Sequence, residues 1–405
     1  MAAFPRIPVG DLIAAGEAEL KTGPFGTQLK ASEYTEEGTT VINVRNIGMG
    51  SIKADKLEFI SDATRDRLSS HLLRSGDIVF GRKGAVERHV FIRKEQDGWF
   101  QGSDCLRLRF NSPRVLPLFA SYFFITEEHQ RWMMNQCSHG ATMSSLNQDI
   151  LERIDLPLPP MPVQRRIAGI LSAYDELMEN GQRRIRLLEA MARALYRECI
   201  REAGESASAK GILETDCWTF ISANVSPYSG TKRYYATADI EGLAIHGAGI
   251  DYTFAEKPSR AQKQPTPFSV WFARMKDTYK IAWYSDVNSQ SAYSSVLSSG
   301  FAGFQPVEPL YFPLLFLTVS SKDFHAQKDL FCTGATQMSL TNEGLSRIEV
   351  PAPSKQAARQ LGEQALPLLN QMLVLQLRIQ NLRRTRDLLL PRLLSGRVHQ
   401  IKTEP

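Results

Sequence analysis

Arg82-Lys83-Gly84, with Arg88, Arg93 and Lys94 close behind, sets a basic cluster directly after the apolar run Ile78-Val79-Phe80. Cationic side chains on a loop donate to phosphate oxygens, and an arginine fork also matches a guanine edge. A shift of 192 residues (274 − 82) carries Arg82 onto Arg274, which is followed by Lys276 and then Tyr279-Lys280. A basic residue at the same strand end in both halves suits a shared phosphate or base contact. The bland reading of the same residues is a solvated strand-to-loop charge cluster. Gly23 to Lys30 adds the backbone amides of a glycine-rich turn together with Thr27, Gln28 and Lys30; a purely structural tight turn is the alternative there. Arg45 and Asn46, at a strand end, have the bidentate chemistry that suits guanine and adenine respectively. Lys232 and Arg233 adjoin Tyr234 and Tyr235, although a half-buried tyrosine pair at a strand start accounts better for the two aromatics.

Other chemistries find no support. Histidines 71, 89, 129, 139, 246, 325 and 399 are scattered without ligand spacing, and the five cysteines show none either. Gly48-Met49-Gly50 lacks the third glycine of a dinucleotide fingerprint. There is no phosphate-binding Gly-Lys-Ser/Thr loop, no Asn/Asp-Pro-Pro-aromatic motif, no nucleophile elbow and no paired-histidine zinc motif. The pattern points to a binding protein, without metal or cofactor of its own. A length of 405 residues suggests two or three domains. The odd cysteine count fits reduced thiols in a cytoplasmic setting. No apolar run approaches the ~18 residues of a membrane helix, and no signal peptide is evident. The net charge of +5 is modest, but residues 355–402 alone hold nine Lys/Arg against Glu363 and Asp387.

What positions the candidate residues is a duplication. Leu146-Asn-Gln-Asp-Ile-Leu-Glu-Arg-Ile-Asp-Leu-Pro-Leu-Pro159 is answered by Leu340-Thr-Asn-Glu-Gly-Leu-Ser-Arg-Ile-Glu-Val-Pro-Ala-Pro353, a shift of 194 (340 − 146). Gly140-Ala-Thr-Met143-Ser144 is likewise answered by Gly334-Ala-Thr-Gln-Met338-Ser339. This Gly-Ala-Thr block suits a capped turn that returns the chain to the sheet, and a contact surface common to both halves is the second reading. Each block leads into an apolar pattern in steps of four and three. The first runs Ile167, Leu171, Tyr174, Met178, Gly181, Ile185, Leu188, Ala192, Leu195, Cys199. The second runs Leu361, Ala365, Leu368, Met372, Leu375, Ile379, Leu382, Arg386, Leu389, Leu393. A sustained period near 3.5 predicts helices whose seams bury each other as a coiled coil; packing of each helix on its own domain is the alternative. Gly181 and Arg386 are poor seam residues, and Pro367 predicts a kink or a helix start. The run 156–162, rich in proline, predicts a non-helical exit from the first domain, and 203–211 a linker. The segments 1–155 and 212–350 alternate short β-type runs with turns, with short helices expected near 115–135 and 307–328, which predicts related α+β domains.

Three stretches carry a resemblance: Gly23-Pro24-Phe25-Gly26-Thr27-Gln28-Leu29-Lys30, Val41-Ile-Asn-Val-Arg-Asn-Ile-Gly48 and Leu73-Arg-Ser-Gly-Asp-Ile-Val-Phe-Gly-Arg-Lys-Gly84. Together with Gln164-Arg165-Arg166-Ile167-Ala168, Leu187-Leu188-Glu189 and Arg386-Asp387-Leu388-Leu389-Leu390-Pro391-Arg392-Leu393-Leu394-Ser395-Gly396, the chain resembles specificity subunits of Type I restriction-modification systems. The second globular segment departs most, offering Ser226-Pro-Tyr-Ser-Gly230 where the first has Gly-Pro-Phe-Gly. The resemblance implies an α+β fold with two related target-recognition domains, at 1–158 and 206–353. It implies helical regions at 159–205 and 354–405 that form an antiparallel coiled coil. It implies a non-catalytic reader of double-stranded DNA with a split, asymmetric target. Two methyltransferase subunits would dock on it, and through them two restriction-translocase subunits, in the cytoplasm and away from membranes. The partners would use S-adenosylmethionine, ATP and Mg, and this chain would bind none of them. The rival from another class is a coiled-coil scaffold that assembles proteins and never meets DNA.

Overall fold

The computed structural model describes residues 4–54, 56–137, 145–203, 209–334 and 337–395. The block 140–144, Ala335 and Thr336 of its counterpart, His139, His399 and residues 204–208 of the expected linker lie outside them. Two compact units emerge: 1–176 with 382–405, and 177–381.

In the first unit the central sheet has the order Ala18–Thr22, Cys105–Phe110, Ile78–Gly81, His89–Phe91, Met49–Gly50. Its central strand shows why it forms. Leu106, Leu108 and Phe110 alternate onto one face and enter the main core, packed with helix Pro117–Phe124. Arg107 and Arg109 take the opposite face, yet Arg107 is buried and Arg109 nearly so. Arg107 donates to Glu19 and to the Ser70 carbonyl, while Arg109 forks onto Asp77 at 2.6 and 2.7 Å. Buried charges persist only when paired in this way. A second sheet follows the order Tyr34–Thr35, Glu58–Ile60, Thr39–Ile42, Phe100–Gln101.

The second unit repeats the plan. Its central sheet runs Trp218–Phe220, Phe301–Pro306, Val270–Ala273, Ile281–Trp283, and its second sheet Ile250–Tyr252, Lys232–Tyr235, Ser295–Ser298, Ala261–Lys263. The unusual parallel pair recurs: Val41↔Phe100 in the first unit answers Tyr234↔Val296 in the second. Helices Pro117–Phe124 and Glu127–Cys137 are matched by Phe312–Val319 and Lys322–Leu330, where the sequence predicts short helices. The duplicated Leu-Pro blocks form Gln148–Glu152 with strand Asp155–Pro157, and Asn342–Ser346 with strand Glu349–Pro351.

The two long helices are Met161–Ala203 and Lys355–Leu394. Each unit takes one end of each helix. Within the first unit Asp175 meets Arg386 at 2.6 Å; within the second, Gly181 faces Ile379 and the Cys199 thiol faces the Ala357 carbonyl. Partner numbers fall as helix numbers rise, so the pairing is antiparallel. All twenty seam residues are buried or half-buried. Seam residues also enter the core of their own unit, Ile167, Leu171 and Leu393 in the first and Ala192, Ala365 and Met372 in the second. The coiled-coil expectation and its domain-packing alternative therefore both hold.

Two local expectations are corrected. The second helix begins at Lys355 and continues through Pro367, so no helix starts there; Ala365 and Leu369 on either side are fully buried, and that packing offsets the lost hydrogen bond. Pro162 lies inside the first turn of its helix, where its missing N–H has no intrahelical acceptor in any case.

Candidate nucleic-acid interface

Both strand exits are held by the same backbone bonds. In the first unit the Arg82 amide donates to the Asp104 carbonyl at 2.9 Å, and the Leu146 amide donates to the Arg82 carbonyl at 2.8 Å. In the second, the Arg274 amide donates to Gly300 at 2.9 Å and Leu340 donates to Arg274 at 2.8 Å. Bridges Lys83↔Ser145 and Met275↔Ser339 complete each set. The duplicated segments thus zip alongside the two basic loops, which gives them a structural role.

The side chains then diverge. Among the described residues no ion pair or side-chain hydrogen bond engages half-exposed Arg82. Arg274 turns inward: Nη1 donates to the Leu340 carbonyl and Nη2 to Asn342 Oδ1, both at 2.9 Å, above the Phe220 ring. Burial holds its pKa below the usual arginine value. Lys83 is exposed and only loosely paired with Asp104 at 3.6 Å, and Arg88 lies 3.4 Å from Glu87. Lys276 is half-buried, with its amide donating to Met338.

The Gly23–Lys30 turn joins the Arg82 edge. A Cβ on Gly23 would sit 2.0 Å from the Gly102 carbonyl, so only glycine allows the turn to lie against the 102–104 loop that Arg82 touches. The Arg67 guanidinium donates to the Gln28 carbonyl at 2.9 Å, and Leu29 is buried beneath. Thr27, Gln28 and Lys30 are exposed on this anchored loop. Phe25, in the same turn, is 61% exposed beside them.

Asn46 is fully buried, contrary to an outward-facing base reader. Its Oδ1 accepts from the Asn43 amide at 3.1 Å and its Nδ2 donates to the Lys53 carbonyl. The second unit repeats the device, with Asp239 Oδ2 accepting from the Ala236 amide at 2.7 Å. Arg45 remains exposed, paired with Glu58 at 2.5 Å. Lys232 and Arg233 open their strand, whereas the far end of that strand leads to Thr237, beside Gly300 and the Arg274 edge. The structure therefore does not bring them together with Arg274. Lys232 donates to Gln264 at 2.6 Å and lies over the Tyr228 ring; Arg233 forks onto Asp251, which holds its pKa up.

No group of three or more potential metal ligands occurs among the described residues. The buried Cys105 thiol is pushed up to about 12 by desolvation, the opposite of an activated nucleophile. His71, His89, His129 and His325 are held down at about 4, 3, 3 and 4, chiefly by burial. What the surface offers is donors on anchored loops, suited to phosphates and base edges.

Residues 25–190 match the family described as the Type I restriction modification DNA specificity domain. That segment is similar to such a specificity domain. Thr27, Gln28, Lys30, Arg45, Asn46, Arg82, Lys83 and Arg88 lie inside the match; Lys232, Arg233, Arg274 and Lys276 lie beyond it. A putative Type I restriction enzyme MjaX specificity subunit from Methanocaldococcus jannaschii is 24% identical over 40% of this chain and 39% of its own. The MjaVIII specificity subunit of the same organism is 25% identical over 38% and 37%. The aligned stretch thus spans well under half of either relative. The crystal structure of a Type I restriction-modification S subunit from M. genitalium shares the fold over 96% of both chains, with a TM-score of 0.59 at 16% identity. The two-unit α+β plan with paired long helices is therefore a specificity-subunit fold. No helix is long and apolar enough to cross a membrane among the described residues.

Proposed function

We propose that this chain is the non-catalytic DNA-reading subunit of a Type I restriction-modification complex. Each unit reads one half of a bipartite, asymmetric target on double-stranded DNA. The paired helices fix the gap between the halves and dock two methyltransferase subunits, which in turn carry two restriction-translocase subunits. S-adenosylmethionine, ATP and Mg belong to those partners, and the assembly works in the cytoplasm. The observation that carries this reading is the duplicated loop edge, where Arg82 and Arg274 leave equivalent strands through equivalent backbone bonds. Arg82, Lys83 and Lys30 supply phosphate-facing charge, while Thr27 and Gln28 supply base-edge donors and acceptors.

The test is co-expression of the full chain with the methyltransferase encoded beside it, followed by mapping of methylated bases in the host genome. One split motif, two short specific halves around a fixed gap, is the expected result. Binding of that motif should weaken steeply with salt, as counterion release requires. A complex that assembles but neither methylates a split motif nor binds DNA would instead establish the protein-scaffold reading.

A further inference from the structure

Lys328 has no solvent-exposed surface. Its ammonium donates to the Met275 carbonyl at 2.8 Å and to the Thr278 carbonyl at 2.9 Å, and it pairs with Asp329 at 2.9 Å. Asp329 Oδ1 in turn accepts from the Asp277 amide at 3.0 Å. Asp277 sits at φ +56°, a conformation disfavoured for a residue with a Cβ. Three bonds from two adjacent residues of helix Lys322–Leu330 thus hold one short loop, the loop that links strands Val270–Ala273 and Ile281–Trp283 and carries Lys276. A buried ammonium is costly unless its donors are satisfied; here the loop carbonyls and one carboxylate satisfy it.

Among the described residues the first unit shows no such arrangement. Thr126 and Ser321 cap equivalent helices through the amides of His129 and Phe324. On that register, a shift of 195 (321 − 126), Lys328 falls on Met133 (328 − 195 = 133). Met133 is also fully buried, within an apolar core, and has no hydrogen to donate. The same helical position is thus a packing residue in one unit and a loop clamp in the other.

We propose that Lys328 is a positioning residue for DNA reading by the second unit, holding the Met275–Tyr279 loop in its reading conformation while touching no DNA itself. The proposal rests on the specificity-subunit reading. The register also supplies the test variant: Lys328→Met puts at this site the residue that folds at its counterpart.

The full chain, co-purified with its methyltransferase, is compared with K328M in two measurements. Amide hydrogen exchange should rise at residues 276–279 while strands 270–273 and 301–306 keep their protection. Binding to a panel of base-substituted duplexes should lose about tenfold discrimination, the size of one base contact, in one half-site only. Arg82→Ala should weaken the other half. Unchanged exchange in the loop overturns the clamp. Faster loop exchange with intact discrimination in both halves overturns the positioning role. Loss of strand protection alongside the loop identifies Lys328 as a folding residue and overturns the proposal as well. If the wild-type complex ignores DNA, the function fails, whereas the exchange comparison still decides whether the clamp exists.

Discussion

Asn46 and Asp239 occupy the same place in the two units and do the same work, accepting from the backbone amide three residues earlier. The amide chemistry that suits adenine was visible in the sequence, but its use was not, because the second partner is the Lys53 carbonyl and nothing local announces it. Asn46→Ala should cost the first unit about 1–2 kcal/mol, since it removes a turn cap and leaves the Asn43 amide and the Lys53 carbonyl without their side-chain partner. Chemical denaturation measures this, and a stability unchanged within error would contradict the capping role. Arg82 and Arg274 make the complementary case. They matched in the sequence by position, and the structure separates them by use. Arg82→Ala should change stability by no more than about 0.5 kcal/mol, as for other surface sites, while weakening DNA binding. Arg274→Ala should lower stability by roughly 1–2 kcal/mol as well, because its guanidinium ties the strand exit to Leu340 and Asn342. Paired melting and binding curves on both variants distinguish the two behaviours.

At the level of elements, periodicity carried most of the information. The seam steps located both long helices, and the 194-residue offset related them before any contact was known. The two residues that broke the pattern are explained by contacts no period encodes. Arg386 is tolerated because Asp175, which also accepts from the Tyr122 hydroxyl at 2.6 Å, neutralises it within the first unit. Gly181 is tolerated because Ile379 fills its space: a Cβ there would stand 3.1 Å from the Ile379 side chain. Gly181→Leu should therefore destabilise the second unit by about 1–3 kcal/mol through overpacking, despite leucine's better helix propensity. Gly181→Ala, gaining up to ~1 kcal/mol of propensity against mild crowding, should stay close to wild type. Thermal unfolding of both variants checks the ordering; a stabilised leucine variant would mean that the helices do not approach closely there. The second sheets were harder to foresee, because strands as short as Tyr34–Thr35 and Phe100–Gln101 leave no readable alternation.

For the whole chain, the duplication is also a built-in comparison, and it makes the acid response testable. His71, His89 and His129 belong to the first unit and His325 to the second. All four are held well below the ordinary histidine value of 6.5, chiefly by burial. A depressed histidine is neutral when folded and takes up a proton only on unfolding. Its share of stability is thus complete above 6.5 and is lost as pH falls towards the folded value. Carboxylates such as Glu17, held below 4.5 by Arg114 and Ser112, withdraw their contribution only at lower pH. A comparison of pH 7.5 with 5.5 therefore isolates the histidines. His129 packs among Phe123, Phe124 and Trp132, and its counterpart in the second unit is Phe324, equally buried against Phe272. His129→Phe should fold and should remove roughly 1.4 kcal/mol of the stability otherwise lost between pH 7.5 and 5.5. Denaturant titrations at the two pH values measure it, and an unaltered pH dependence would show that His129 is already protonated in the folded chain.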